Sequence, residues 1–195
     1  MPDVVLKNVR LSYAHLETPV SFDNTTKSFS VDEVAGNYSS VLIIPKGSDA
    51  EKALLKAIEE ARSEALASGI RSGKSNVKVT AKDMNRFNDG IKDGDTKDDD
   101  VYADAIYINA KAKVGYKPKV YDKANVKQED SSILYSGCYV NVYIRVYNYS
   151  AASNLGCSFG LTALQFHEDG EPLGNNVDTD SIFGDKAVAD DEDMY

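Results

Sequence analysis

The run from Tyr139 to Tyr149 constrains this chain more than any other stretch, because its side chains change character at every residue. Its even positions are Val140, Val142, Ile144, Val146 and Asn148, and its odd positions are Tyr139, Asn141, Tyr143, Arg145, Tyr147 and Tyr149. Successive side chains of a strand point to opposite faces, and a slip of one residue would exchange the two faces wholesale. The run is therefore a strand whose even face needs a core. Its odd face carries four tyrosines and an arginine. Such a face can stack nucleobases at about 1–3 kcal/mol per base, with the guanidinium adding phosphate attraction or a cation–π contact. The competing reading is packing: tyrosine is a good strand former, and this face could lie under a helix or against a second subunit.

The remaining elements follow from the same kind of pattern. Val4–Tyr13 reads as a strand, followed by a loop through Pro19, a short strand near Lys27–Val34 and a strand Tyr38–Pro45. Ser48 and Glu51 have capping-box spacing, and Leu54, Leu55, Ile58, Ala61, Ala65 and Leu66 recur at helical intervals, predicting a helix to about Ser68 that Gly69 closes. Further strands are predicted at Val101–Lys113, Cys138–Tyr149 and Cys157–His167, the last two joined across Ser150–Gly156. About six strands with one inserted helix predict a mainly β fold, a small and partly open barrel, rather than a doubly wound sheet.

Charge is segregated along the chain. From Glu168 onward lie ten of the 31 acids and one of the 22 Lys and Arg residues, so this segment alone accounts for the net charge of −9 and the preceding body is neutral. Within the body, Arg71, Lys74, Lys78, Lys82 and Arg86 face only Asp83. Seven aspartates between Asp89 and Asp104 then stand against Lys92 and Lys97. The third block reverses again, with Lys111, Lys113, Lys117, Lys119, Lys123 and Lys127 against Asp122, and Tyr116 and Tyr121 set among those lysines. The odd face of the strand before it carries Tyr107, Asn109, Lys111 and Lys113. Packing explains tyrosines but not the lysines beside them, which favours a nucleic-acid surface built from Tyr107, Lys111, Lys113, Tyr116, Lys117, Lys119, Tyr121, Tyr139, Tyr143, Arg145 and Tyr147.

No catalytic or metal constellation is expected. Residues Asp89–Asp100 place a glycine at the sixth position of a calcium loop, but Ile91 and Lys97 fall on ligand positions. Asp95-Thr96-Lys97 resembles the short D-x-K element of metal-dependent nucleases, a three-letter match kept, together with Asp93, as an alternative enzyme reading. His15 and His167 have no partners at ligand spacing. Cys138 and Cys157 are offset on the hairpin, Cys157 opposite about residue 148, so two reduced thiols are expected and no cofactor. No apolar run approaches the ~20 residues of a membrane span and no signal peptide opens the sequence, so a cytosolic protein without a membrane partner is expected.

Beyond Gly174 the only substantial apolar residues before the final pair are Val177, Ile182, Phe183 and Val188, so residues 175–195 are expected to form a disordered acidic tail behind a domain spanning 1–174. The tail ends Asp190-Asp191-Glu192-Asp193-Met194-Tyr195. An acidic peptide with an apolar tip can dock in a basic groove of a partner, or mimic phosphates and compete for the lysine-lined surface of its own molecule.

Four segments, Val9-Arg10-Leu11-Ser12-Tyr13-Ala14-His15-Leu16, Tyr38–Asp49, Tyr135-Ser136-Gly137-Cys138-Tyr139-Val140 and Asp169-Gly170-Glu171-Pro172-Leu173-Gly174, together resemble a family of bacteriophage single-stranded DNA-binding proteins. The resemblance spans most of residues 3–174 and extends in style to the tail. It implies an OB-fold that coats single-stranded DNA during phage replication and recombination in the cytoplasm of the infected bacterial host. It also implies a tail, Asp190–Asp193 with the terminal Tyr195, that regulates access to DNA and recruits replication proteins such as a polymerase or helicase. The tyrosine face and an exchanged tail could each support a homodimer. An interaction module with a tyrosine-rich subunit interface is the non-nucleic-acid alternative.

Overall fold

The computed structural model describes residues 1–72, 75–151 and 154–173. In chain order its elements are β1 (Asp3–Asp23), β2 (Ser28–Val31), β3 (Asn37–Pro45), α1 (Asp49–Ser68), β4 (Ile70–Ser72), β5 (Ser75–Val77), β6 (Phe87–Asn88), β7 (Lys92–Asp93), β8 (Ala105–Lys113), β9 (Lys119–Tyr121), β10 (Lys127–Gln128), β11 (Tyr139–Ala151) and β12 (Asn154–Glu168). Short 3₁₀ turns occupy Asp83–Arg86, Gly94–Thr96 and Asp100–Tyr102.

Five long strands form a closed barrel. Strand β1 pairs antiparallel with β11 on one side and β3 on the other, β3 with β8, and β11 with β12. The ring closes through a short parallel ladder in which Phe159 and Gly160 of β12 face Ala110 and Lys111 of β8. This is the OB-type barrel that the sequence resemblance implied, with its last seam closed. The even face of β11 behaves as its alternation dictates: Val140, Val142, Ile144 and Val146 are fully buried among Leu6, Val9, Leu42, Ile108, Phe159, Leu161 and Leu164.

Helix α1 lies against β1 and β11 and adds Ala50, Leu54, Ala57, Ile58 and Ala61 to the same core. Ser48 caps it by accepting from the Glu51 N–H at 3.2 Å, while the Glu51 carboxylate reaches back to the Gly47 N–H, one position earlier than in a strict capping box. Gly69 ends the helix with φ of 73° and its N–H on the Ala65 carbonyl, as the sequence predicts.

Several boundaries differ from the sequence reading. The expected loop through Pro19 is strand: β1 runs on to Asp23, because bulges at Asn8 and Tyr13, both with positive φ, bend it around the barrel without ending it. The strand expected from Val101 begins at Ala105, since Asp99 caps a 3₁₀ turn by accepting from the Val101 N–H. The connection expected over Ser150–Gly156 is shorter, with pairing continued to Ala151 and Asn154. The offset predicted for the cysteines holds, with Cys157 opposite Asn148, and both thiols are buried and free. Burial pushes the Cys157 thiol up to about 12.

Candidate nucleic-acid interface

Strand β12 is the element that assembles the odd faces of the other strands. On one side it pairs with β11, setting Tyr147 opposite Ser158, Arg145 opposite Gly160 and Tyr143 opposite Ala163. On its other side Gly160 faces Lys111 of β8, and after the turn that follows Lys113, Ala163 and Gln165 face Lys119 and Tyr121 of β9. The inward partners along β12 are Phe159, Leu161 and Leu164, all buried. Between positions 158 and 163 the side chains of β12 that are not buried are small: Ser158, Gly160, Thr162 and Ala163. The result is a shallow floor of small side chains with Tyr143, Arg145 and Tyr147 along one wall and Lys111, Lys113 and Lys119 along the other.

Gly160 keeps the floor low, because a Cβ there would already touch the Tyr147 ring and the Arg145 stem at 3.6–3.7 Å, so any larger side chain would fill the space between the walls. At the β12 start, Asn109, Lys111, Tyr147, Tyr149 and Ser158 line an open groove. Strand β6 pairs in parallel with β12 at Leu155 and Gly156, which brings the exposed Lys78, Lys82 and Arg86 segment to this same end. Lys74, with the Arg71 side chain, lies outside the described residues.

The charges around the floor are of two kinds. Among the described residues no carboxylate lies within ion-pair distance of Lys111, Lys113 or Lys119. Arg145, in contrast, is held by Asp3 of β1, with Nε and Nη2 at 2.7 and 3.2 Å from the carboxylate, which also accepts from the Tyr143 hydroxyl at 2.7 Å. The Arg145 and Tyr143 bonds hold the Asp3 carboxyl below its usual range, and the Asp3 bond raises the Tyr143 hydroxyl above its own. Asp3 was not visible as a site residue in the sequence, since its partner lies across a strand pair 142 positions away.

Other residues expected in the site lie apart from the floor. Tyr107 sits on β8 four residues before Lys111, about 13 Å along the strand. There it packs edge-on against Tyr102 at 5.1 Å, with the Lys97 and Lys92 ammonium groups 4.8 and 5.6 Å from its ring centroid. Tyr139 is near the opposite end of β11, under the Arg10 guanidinium at 5.9 Å. Lys117 is paired with Glu17 at 2.8 Å, and Tyr116 stands 76 % exposed in the β8–β9 turn. Asp190, Asp191, Glu192, Asp193, Met194 and Tyr195 lie outside the described residues.

The acidic segment has a structural occupation. Lys46 bridges Asp93 and Asp95 at 2.8 and 2.5 Å, and Asp95 also accepts from the Asp104 N–H. Lys97 rests 3.5 Å over the Tyr102 ring. The three residues of the nuclease-like element thus bind a lysine, a backbone amide and an aromatic ring, and no metal-holding group of His, Cys, Asp and Glu occurs among the described residues.

A closed five-stranded barrel of this connectivity with one helix laid against it is of OB type. The chain belongs to the family of the Enterobacter phage Enc34 single-stranded DNA-binding protein, whose model matches residues 2–195. A putative protein, p50, of Acyrthosiphon pisum secondary endosymbiont phage 1 is 28 % identical over 98 % of this chain and 97 % of its own length. The Enc34 single-stranded DNA-binding protein in complex with single-stranded DNA is similar in fold at a TM-score of 0.63, with 24 % identity over 88 % of this chain and 89 % of that one. So is gp2.5 of bacteriophage T7, a single-stranded DNA-binding protein, at a TM-score of 0.58 and 14 % identity over 100 % and 98 %.

Proposed function

We propose that this chain binds single-stranded DNA without sequence preference, inside the infected host, with β12 as the floor of the binding surface. Tyr143 and Tyr147 stack bases, while Lys111, Lys113 and Lys119 follow the phosphates. Arg145, oriented by Asp3, meets phosphate with the guanidinium edge that Asp3 leaves open. The juxtaposition across one strand of planar rings and unpaired ammonium groups is the observation that supports this reading, and the family membership agrees with it. Residues 1–174 act as the binding domain. The tail from 175 competes with DNA for the lysines and, through Asp190–Asp193, Met194 and Tyr195, recruits replication proteins.

Titration of a fluorescent oligo(dT) and of a duplex of equal length over a range of salt tests the reading. The expected result is preference for oligo(dT), with affinity falling steeply as salt rises. Truncation after Asn175 is expected to tighten binding at low salt. Failure of both the full chain and the truncated one to bind would contradict the reading, and equal affinity of the two at low salt would remove the tail from it.

A further inference from the structure

Exposed aromatic surface also collects on the ribbon made by the end of β1 and by β2, away from the floor. Phe22 and Phe29 lie opposite each other across this pair, 46 % and 44 % exposed, with ring centroids 4.9 Å apart. The His15 ring lies 4.5 Å from Phe29. Burial holds the His15 imidazole below its usual range, so at neutral pH it is an uncharged ring backing Phe29 rather than a cation.

Register ties this ribbon to the floor. Arg145 faces Gly160, Gly160 faces Lys111, Lys111 faces Ser39 and Ser39 faces His15. These five residues form one row across the barrel, Arg145 and Lys111 exposed and Gly160, Ser39 and His15 partly buried. Four strand spacings make its length about 19 Å along the curved surface. A chain that runs across the strands from the tyrosine wall therefore passes Lys111 and reaches the phenylalanine pair. Three carboxylates of the ribbon and its base are turned to its own structure, and Glu33 beside them is exposed. Asp23 accepts from the Thr25 N–H, Asp32 from the Ser21 hydroxyl and the Ala35 N–H, and Glu17 holds Lys117.

We propose that Phe22 and Phe29, backed by His15, form a second base-stacking subsite for the same DNA strand after it has crossed the barrel. This rests on the single-stranded DNA reading above. Rings at the end of a row that contains a lysine suit bases joined by phosphates.

The test uses the full chain with Phe22→Leu and Phe29→Leu together, which keeps the apolar volume and removes the aromatic faces. Affinity is measured for an oligo(dT) of roughly five nucleotides and one of roughly twenty, bracketing the span of an OB-type site. The expected result is about a tenfold or greater loss on the long oligonucleotide and none on the short one, with affinity kept when both positions are Tyr. No loss on either length, or an equal loss on both, would overturn the proposal. So would unchanged affinity with a smaller oligomer, which would assign the rings to a contact between copies. If the unsubstituted chain binds neither oligonucleotide, the single-stranded DNA reading falls, and this subsite with it.

Discussion

The floor along β12 and the acidic lobe at residues 93–104 both carry tyrosines and charged side chains on the outside of one barrel, yet their charges are disposed differently. In the lobe nearly every interaction is closed within the molecule. Lys46 is gripped by two carboxylates, and Lys97 covers Tyr102, which in turn donates to the buried Ser12 hydroxyl. Around the floor, Lys111, Lys113 and Lys119 have no such partners among the described residues, and the rings of Tyr143 and Tyr147 border small residues that leave room beside them. A lysine gripped by two carboxylates fastens the fold; a lysine with no carboxylate beside it remains available to a polyanion.

That contrast can be broken most severely at the rings. Tyr143→Ala with Tyr147→Ala should weaken oligo(dT) binding by about 1–3 kcal/mol for each stacked base lost, whereas Tyr107→Ala, on β8 beside the lobe, should leave the affinity near that of the unsubstituted chain. Equilibrium titration with both variants folded checks this, and equal losses would mean that the two regions are not functionally distinct.

Charge reversal is the next largest lever. Lys111→Glu with Lys119→Glu should lower affinity about tenfold or more at low salt, and Lys46→Met should not change it but should lower the unfolding temperature slightly by leaving Asp93 and Asp95 facing each other. Gly160→Val raises the floor between the walls, so a loss of several-fold is expected with the fold kept, as circular dichroism would show.

The smallest effect is a pH dependence at Asp3. Its carboxyl titrates lower in the folded chain than in the unfolded one, because Arg145 and Tyr143 bond to its charged form. Its contribution to stability is therefore complete above the ordinary carboxylate range and is lost as pH falls through the lowered folded value. Asp3→Asn should be slightly less stable than the unsubstituted chain at neutral pH, with the gap closing in acid. Thermal unfolding across pH reads this directly, and a gap that widens in acid would refute the assignment.

Much of the barrel was legible because β11 alternates so cleanly: its even side chains could be buried in only one register. The helix was legible from Ser48, Glu51 and Gly69, which mark its ends by local chemistry. What the sequence hid is non-local. Pro19 reads as a strand end, but positive-φ bulges at Asn8 and Tyr13 let β1 curve on past it. The tyrosine and lysine walls were each visible in their own strands, yet that they meet depends on β12 lying between β11 and β8, a parallel closure no local pattern announces. The alternation of Ser158, Gly160 and Thr162 with Cys157, Phe159 and Leu161 was a signal for the small floor. Tyr107 and Lys117 show the converse: each has the expected residue type on the expected stretch, and the structure sets them against Lys97 and Glu17, neighbours that no local pattern announces.

The most direct test of the central claim is the salt dependence of oligo(dT) binding by the full chain and by Lys111→Gln with Lys119→Gln. Each phosphate contact on a single strand contributes about −0.7 to the slope of log affinity against log salt, so losing two should flatten that slope by about 1.4. That flattening, with Lys46→Met unchanged, is the result predicted here; a slope identical to that of the unsubstituted chain would place the phosphates elsewhere and contradict the account.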